Sequence, residues 1–265
     1  MSNCSQWQVL VTRPSAQAEG FAAQIRALGC SVSRAPVLEI APVSEPSQQQ
    51  VIKNCVLDFD CYQKAIFVSQ NAVHHGFAWL ENFWPQLPQG IDYFAVGSAT
   101  QKALLQYQLL VEEPGGAMNS EALLALPRLQ HVEQERILIF RGAGGRTLLG
   151  DTLASRGARV DYCELYLRML PIDAQADLQK WQQGLNWQNP VVVTLHSGES
   201  LDNFYQLAQV VFTADQLSYL WLLVPSERVQ RQAQDLGFKR IWLADNAADT
   251  SMLQRLQQAI SSRSF

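Results

Sequence analysis

The chain repeats itself. When VLVTRPSAQAEGFAAQIRALGCSV, from Val9, is set against ILIFRGAGGRTLLGDTLASRGARV, from Ile137, the offset is 128 residues; Arg13 then meets Arg141, Gly29 meets Gly157 and Val32 meets Val160. Each copy reads as an apolar strand, a loop, an amphipathic helix, a glycine stop and a second strand. The match continues downstream. KAIFVSQNAVHHGF (Lys64 to Phe77) resembles VVVTLHSGESLDNF (Val191 to Phe204), and FAVGSATQKAL (Phe94 to Leu104) faces LLVPSERVQRQ (Leu222 to Gln232), with Ser98 on Ser226. NSEALLAL (Asn119 to Leu126) faces DTSMLQRL (Asp249 to Leu256) at an offset of 130. Solenoid repeats recur every ~20–50 residues. A period this much longer predicts a duplicated domain.

Short apolar runs alternate with helix patterns in each half. In the second half they lie near Ile137–Phe140, Val160–Tyr166, Val191–Leu195, Leu220–Val224 and Ile241–Ala244. Such alternation predicts an α/β fold: two similar doubly wound domains, each a parallel sheet with helices on both faces. APVLEIAPV (Ala35 to Val43) and CELYLRMLPI (Cys163 to Ile172) are long and extended and carry Pro36, Pro42 and Pro171. Proline is tolerated at sheet edges and in linkers, not in sheet centres, so both stretches read as linkers.

Composition narrows the function classes. The chain has 265 residues, 48% hydrophobic and only 17% charged, enough for one large core or two ordinary ones. No apolar run approaches the roughly 18 residues of a membrane helix. The opening MSNCSQWQVL lacks a basic segment followed by an apolar one, so no signal peptide is expected. The five cysteines (Cys4, Cys30, Cys55, Cys61, Cys163) are scattered, with no Cys-x-x-Cys pair and no ligand spacing to the four histidines. Reduced thiols are expected, with no metal site. A net charge of −4 argues against non-specific nucleic-acid binding.

Candidate site residues follow from the strand ends. ILIFRGAGGR reads as a buried strand running into a glycine-rich turn. It is neither G-x-x-x-x-G-K-[ST] nor G-x-G-x-x-G, since position 147 is Thr. Gly142, Gly144 and Gly145 permit close backbone approach to an anion, and Arg141 and Arg146 supply charge-assisted hydrogen bonds. The alternative is a tight turn only, with Arg141, and likewise Arg13, buried and bonding backbone carbonyls. Ser69, Gln70 and Asn71, then Ser98, Ala99 and Thr100, then Ser197 and Gly198, and Ser226 all follow strands directly. The carboxyl ends of parallel strands are where ligands bind in open α/β sheets. The same residue types also cap helix starts, and one position can do both. Lys102 and Arg228 read as solvated charges, and His74 and His75 as surface or packing residues.

Taken together, VLVTRP, IFVSQNAV, FAVGSAT, SEALLALP, ILIFRGAGGR, RGARVDYCELYLR and PSER resemble the uroporphyrinogen-III synthase family, over roughly Val9 to Leu256. One departure is visible. In LHSG, His196 stands where the family pattern has a hydroxyl residue, while Ser197 keeps its place. The resemblance implies two α/β domains that exchange their opening segments. The first would comprise residues 1–37 plus 171–265 and the second 42–166, with linker strands at 38–41 and 167–170 and the substrate in the cleft between. It implies cyclisation of hydroxymethylbilane, received from the preceding pathway enzyme, by a cytoplasmic monomer without cofactor. Tyr166 would be the proton donor to the leaving hydroxyl. Binding would fall to Arg13, Ser69, Gln70, Asn71, Ser98, Ala99, Thr100, Arg141, Gly142, Gly144, Gly145, Arg146, Ser197, Gly198 and Ser226. The rival expectation is an inactive tetrapyrrole-binding homologue or a periplasmic-type ligand sensor built on similar lobes.

Overall fold

The computed structural model describes residues 6–115 and 119–262; Cys4 lies outside them. Its strands are β1 (Gln8–Val11), β2 (Ser31–Arg34), β3 (Glu39–Pro42), β4 (Lys64–Phe67), β5 (Asp92–Ala95), β6 (Val111–Glu112), β7 (Arg136–Gly142), β8 (Arg159–Met169), β9 (Val191–Thr194), β10 (Trp221–Val224) and β11 (Ile241–Leu243). The helices are α1 (Ser15–Ala27), α2 (Pro46–Leu57), α3 (Gln70–Phe83), α4 (Ser98–Leu105), α5 (Ser120–Leu124), α6 (Leu148–Ser155), α7 (Ala174–Gln183), α8 (Gly198–Val211), α9 (Ala214–Tyr219), α10 (Glu227–Asp235) and α11 (Asp249–Ser261).

Two sheets form, ordered β11-β10-β9-β1-β2 and β3-β8-β7-β4-β5-β6. Strand β1 pairs in parallel with β2 and β9, and β7 pairs in parallel with β4 and β8. The repeat maps β1, β2, β9, β10 and β11 onto β7, β8, β4, β5 and β6, and over these five strands the two sheets have one order, with β3 added at one edge of the second. The duplication is therefore written in the topology. So is the exchange: β1 and β2 of the first copy sit beside β9 to β11 of the second. The chain divides into two compact units, Met1–Glu39 with Met169–Phe265, and Ile40–Arg168.

Burial explains why these runs become parallel strands. Lys64–Phe67 and Val191–Thr194 are buried at every position, as expected of strands covered on both faces. Alternate residues serve opposite cores. In the first unit Leu10, Val191, Val193 and Phe204 share one face, and Val9, Val11, Phe21 and Trp242 the other. In the second, Phe67 and Phe140 stack at 4.4 Å beside Phe77, while Ile66, Ile137 and Ile139 face Leu153. Gly29 and Gly157, matched by the repeat, have φ +87° and +90° just beyond α1 and α6. They are left-handed helix stops.

The proline-bearing stretches resolve in detail. Pro42 ends β3, the outermost strand of its sheet. Strand β8 reaches Met169, with Pro171 beyond it, so residues 163–169 belong to a sheet strand between β3 and β7 and are not a free linker. Cys30, Cys55, Cys61 and Cys163 are all free thiols. No helix among the described residues is long and apolar enough to cross a membrane, and none of their His, Cys, Asp and Glu side chains gather in a group able to hold a metal ion.

Candidate active site

In the second unit the site is built around a β-bulge. Strands β7 and β8 run in register from Arg136↔Arg159 to Arg141↔Glu164, and the next pair is Gly142↔Tyr166, so Leu165 is an extra residue on β8. A bulge breaks the alternation of faces and re-aims the following side chain. Here Leu165 and Tyr166 are both buried, at 1% and 4% exposure, although they are neighbours in one strand. The ladder resumes through Ala143 N–H donating to the Tyr166 carbonyl at 2.7 Å.

Three contacts fix the Tyr166 ring. Its Oη lies 2.9 Å from Ser69 Oγ. Its face stacks on His75, with centroids 5.3 Å apart. Its edge lies against Gly142, where a Cβ would come 2.6 Å from Tyr166 Cε2. Ser69 is itself the cap of α3, accepting from Ala72 N–H at 3.0 Å. The capping and site readings of this serine therefore hold together, and they tie the phenol to a helix start. His75 enters the site from a position whose sequence suggests only surface or packing. Burial, and secondarily His74, holds its pKa below the usual histidine range, so a neutral imidazole faces the phenol.

The glycine turn is braced from within. Arg141, 8% exposed, donates from Nε to the Gly142 carbonyl at 3.1 Å and from a terminal nitrogen to the Arg146 carbonyl at 3.2 Å. Its guanidinium lies 4.9 Å over the Tyr162 ring. Of the two readings of Arg141, this is the carbonyl-bonding one. Gly145 (φ +88°) has a backbone that L side chains rarely adopt, and a Cβ there would also meet an Arg141 nitrogen at 2.7 Å. Gly144 N–H donates to Glu164 Oε1 at 3.2 Å. The turn thus already holds one carboxylate, the protein's own. Arg146 is exposed on the same turn.

The other strand ends present helix starts. Gly97, not Ser98, is the cap residue of α4, with no side-chain cap; Ser98 and Ala99 open the helix, and the Thr100 side chain is buried. Gln70 and Asn71 occupy the first turn of α3. In the first unit, Ser197 caps α8 in a reciprocal box with Ser200, and Ser226 caps α10 by accepting from Val229 N–H at 3.4 Å. Gly198 lies tight under Gln232 and Arg228; a Cβ there would stand 2.6 Å from Gln232 Oε1.

Arg13 does not take the carbonyl-bonding role its repeat partner has. It pairs with Asp249 at the start of α11 and bonds Gln17 at 3.2 Å. His196 Nε2 sits 3.7 Å from the same Asp249 oxygen, the ring edge-on to Phe21, and both ring nitrogens are buried without a hydrogen-bond partner. Burial, then the Arg13 charge, lowers its pKa to about 3. Unfolding therefore takes up a proton between pH about 3 and the ordinary value of 6.5. The sign follows: stability falls as pH drops from that value toward about 3. Asp249, its pKa raised by burial against the pull of Arg13, opposes this only where it titrates. We expect His196→Ser to lose less stability than the parent on acidification, by roughly 1–2 kcal/mol at pH 5. Urea unfolding at pH 7 and pH 5 measures it; parallel losses in the two proteins would contradict it.

Three residues near these positions escape a reading of the sequence. Glu164 stands two places before Tyr166 in a strand whose aromatic residues carry the stronger signal. Asp249 lies 236 residues from Arg13. His75 carries no sequence signal for its stacking.

Fold and strand ends together define a class: a duplicated α/β protein with hydroxyls, backbone amides and a buried phenol set at the carboxyl ends of its strands. A family model described as Uroporphyrinogen-III synthase HemD matches residues 19–254. The uroporphyrinogen-III synthase of Escherichia coli K12 is 35% identical over 256 residues, 94% of this chain and 99% of that one. That of Salmonella typhimurium LT2 is 34% identical over 255 residues, with the same coverage. Crystal structures of uroporphyrinogen III synthase from Thermus thermophilus (a methionine-substituted mutant) and from Helicobacter pylori 26695 share the fold. Their TM-scores are 0.62 and 0.59, each at 16% identity, covering 97% of this chain and 99% of theirs. The chain belongs to the uroporphyrinogen-III synthase family.

Proposed function

We propose that this protein is a lyase of tetrapyrrole biosynthesis that cyclises hydroxymethylbilane to uroporphyrinogen III, with Tyr166 as proton donor. The carbon–oxygen bond of the terminal hydroxymethyl group breaks, and the hydroxyl leaves as water with a proton from Tyr166. The electrophilic azafulvene so formed is attacked by the substituted carbon of ring D, giving a spiro intermediate. That intermediate fragments and recloses with ring D inverted, and the ring proton released on closure restores the phenol. Phenols as a class have a pKa near 10, which makes them donors rather than acceptors at neutral pH.

The substrate can lose water and close unaided to the un-inverted isomer. The protein must therefore chiefly hold one reactive geometry. The observation that carries the reading is the Tyr166 phenol, buried, held by Ser69 and set beside a turn whose Gly144 amide already holds a carboxylate. The strand-end segments 69–71, 98–100, 142–146, 197–198 and 226 would take the substrate's carboxylates, largely through backbone N–H groups at helix starts. A small, diffusing substrate and the absence of a membrane-length helix among the described residues support a cytoplasmic protein. A monomer that receives substrate from the preceding enzyme suffices for this chemistry.

The test is to incubate the purified protein with hydroxymethylbilane and resolve the product isomers. Type III is the expected product; type I alone, at the spontaneous rate, would refute the activity.

A further inference from the structure

We propose that Glu164 is a resident carboxylate that occupies the glycine turn in the free protein and is displaced by a carboxylate arm of the substrate, so that it competes with anionic ligands for that turn and weakens their binding. The inference rests on the synthase reading above and assigns Glu164 a role within it. Glu164 Oε1 accepts from Gly144 N–H at 3.2 Å and stands 3.7 Å from Arg141 Nε. That is the arrangement an incoming carboxylate needs: one amide donor and one cation. The turn does not depend on Glu164 for its shape. Arg141 holds the Gly142 and Arg146 carbonyls, Ala143 N–H is in the ladder, and Tyr162 Oη donates to the Thr147 carbonyl at 3.3 Å. The Glu164 side chain is 45% exposed, so water screens its hold on the turn and it can swing out at little cost. The space beside Gly144 is open, with nothing within 4 Å of where a Cβ would stand.

The consequence is competitive. A ligand with a carboxylate at this point replaces Glu164 and must also overcome its repulsion as the two exchange. A ligand without one leaves Glu164 in place.

The experiment compares the parent with Glu164→Gln, which keeps the acceptor for Gly144 N–H and removes the charge. Binding of uroporphyrin III, an unreactive polycarboxylate, is followed by fluorescence, and KM and kcat are measured with hydroxymethylbilane. We expect Kd and KM to fall about three- to tenfold, the size of one near-surface like-charge contact. The change should sit in KM rather than kcat, and the difference between the proteins should shrink at high salt. Glu164→Ala, which removes the tether as well as the charge, should also tighten binding. An unchanged or raised Kd in Glu164→Gln, weaker binding in Glu164→Ala, or no binding by any of the three overturns the role. The two readings fail separately. Uroporphyrin III binding reads Glu164 whether or not the protein turns over, and a parent that forms no type III isomer sinks the synthase reading alone.

Discussion

Tyr166→Phe is expected to lower kcat about 10²-fold while leaving a folded protein, because it removes one proton donor and little else. The ring keeps its stack on His75 and its contact with Gly142. What is lost is the hydroxyl and its 2.9 Å bond to Ser69, a loss of about 1 kcal/mol in stability. KM should move little, since the donor acts on the departing hydroxyl and not on the carboxylates. Steady-state kinetics with product isomer analysis, beside thermal unfolding, separates the two effects. A kcat within threefold of the parent in a natively stable variant would remove Tyr166 from the chemistry.

Gly142→Ala is expected to be nearly as damaging, for a steric reason. The new Cβ would stand 2.6, 2.9 and 3.1 Å from three atoms of the Tyr166 ring. That ring cannot turn away cheaply, being buried, hydrogen-bonded to Ser69 and stacked on His75. Either the ring or the end of β7 must shift, at about 1–3 kcal/mol of stability. A displacement of ~1 Å in a reacting group costs ~10²-fold in rate. If the rate loss comes through Tyr166, the double variant Gly142→Ala/Tyr166→Phe should be no slower than Tyr166→Phe alone, a non-additivity expected of groups acting as one unit. Multiplying rate losses would show that Gly142 acts elsewhere.

Much of the fold is legible because the sequence states it twice. The repeat gives the alternation of strands and helices, and the glycines at 29 and 157 stop the helices where the pattern says they should. Strand partnership is not legible from pattern. Duplicated strands are near-equivalent, so β1 has the same apolar face to offer β4 as β9, and only the family resemblance indicates the exchange. The site is legible where one residue type suffices. A serine after a buried strand reads as a helix cap, and Ser69, Ser197 and Ser226 are caps. It is not legible where geometry depends on register. The bulge at Leu165 turns Tyr166 inward and sets Glu164 against Gly144, and no composition rule marks a single extra residue in a strand. The Arg13–Asp249 pair joins residues 236 apart, and His196 gives no hint in sequence that both its nitrogens will lack partners.

The central claim is that backbone amides at the strand ends hold the substrate's carboxylates. Amide hydrogen exchange with and without saturating uroporphyrin III tests it most directly. Slowed exchange is expected at residues 69–72, 98–100, 142–146, 197–199 and 226–228. Protection confined to other segments, or none in a protein that binds the ligand, would contradict the account.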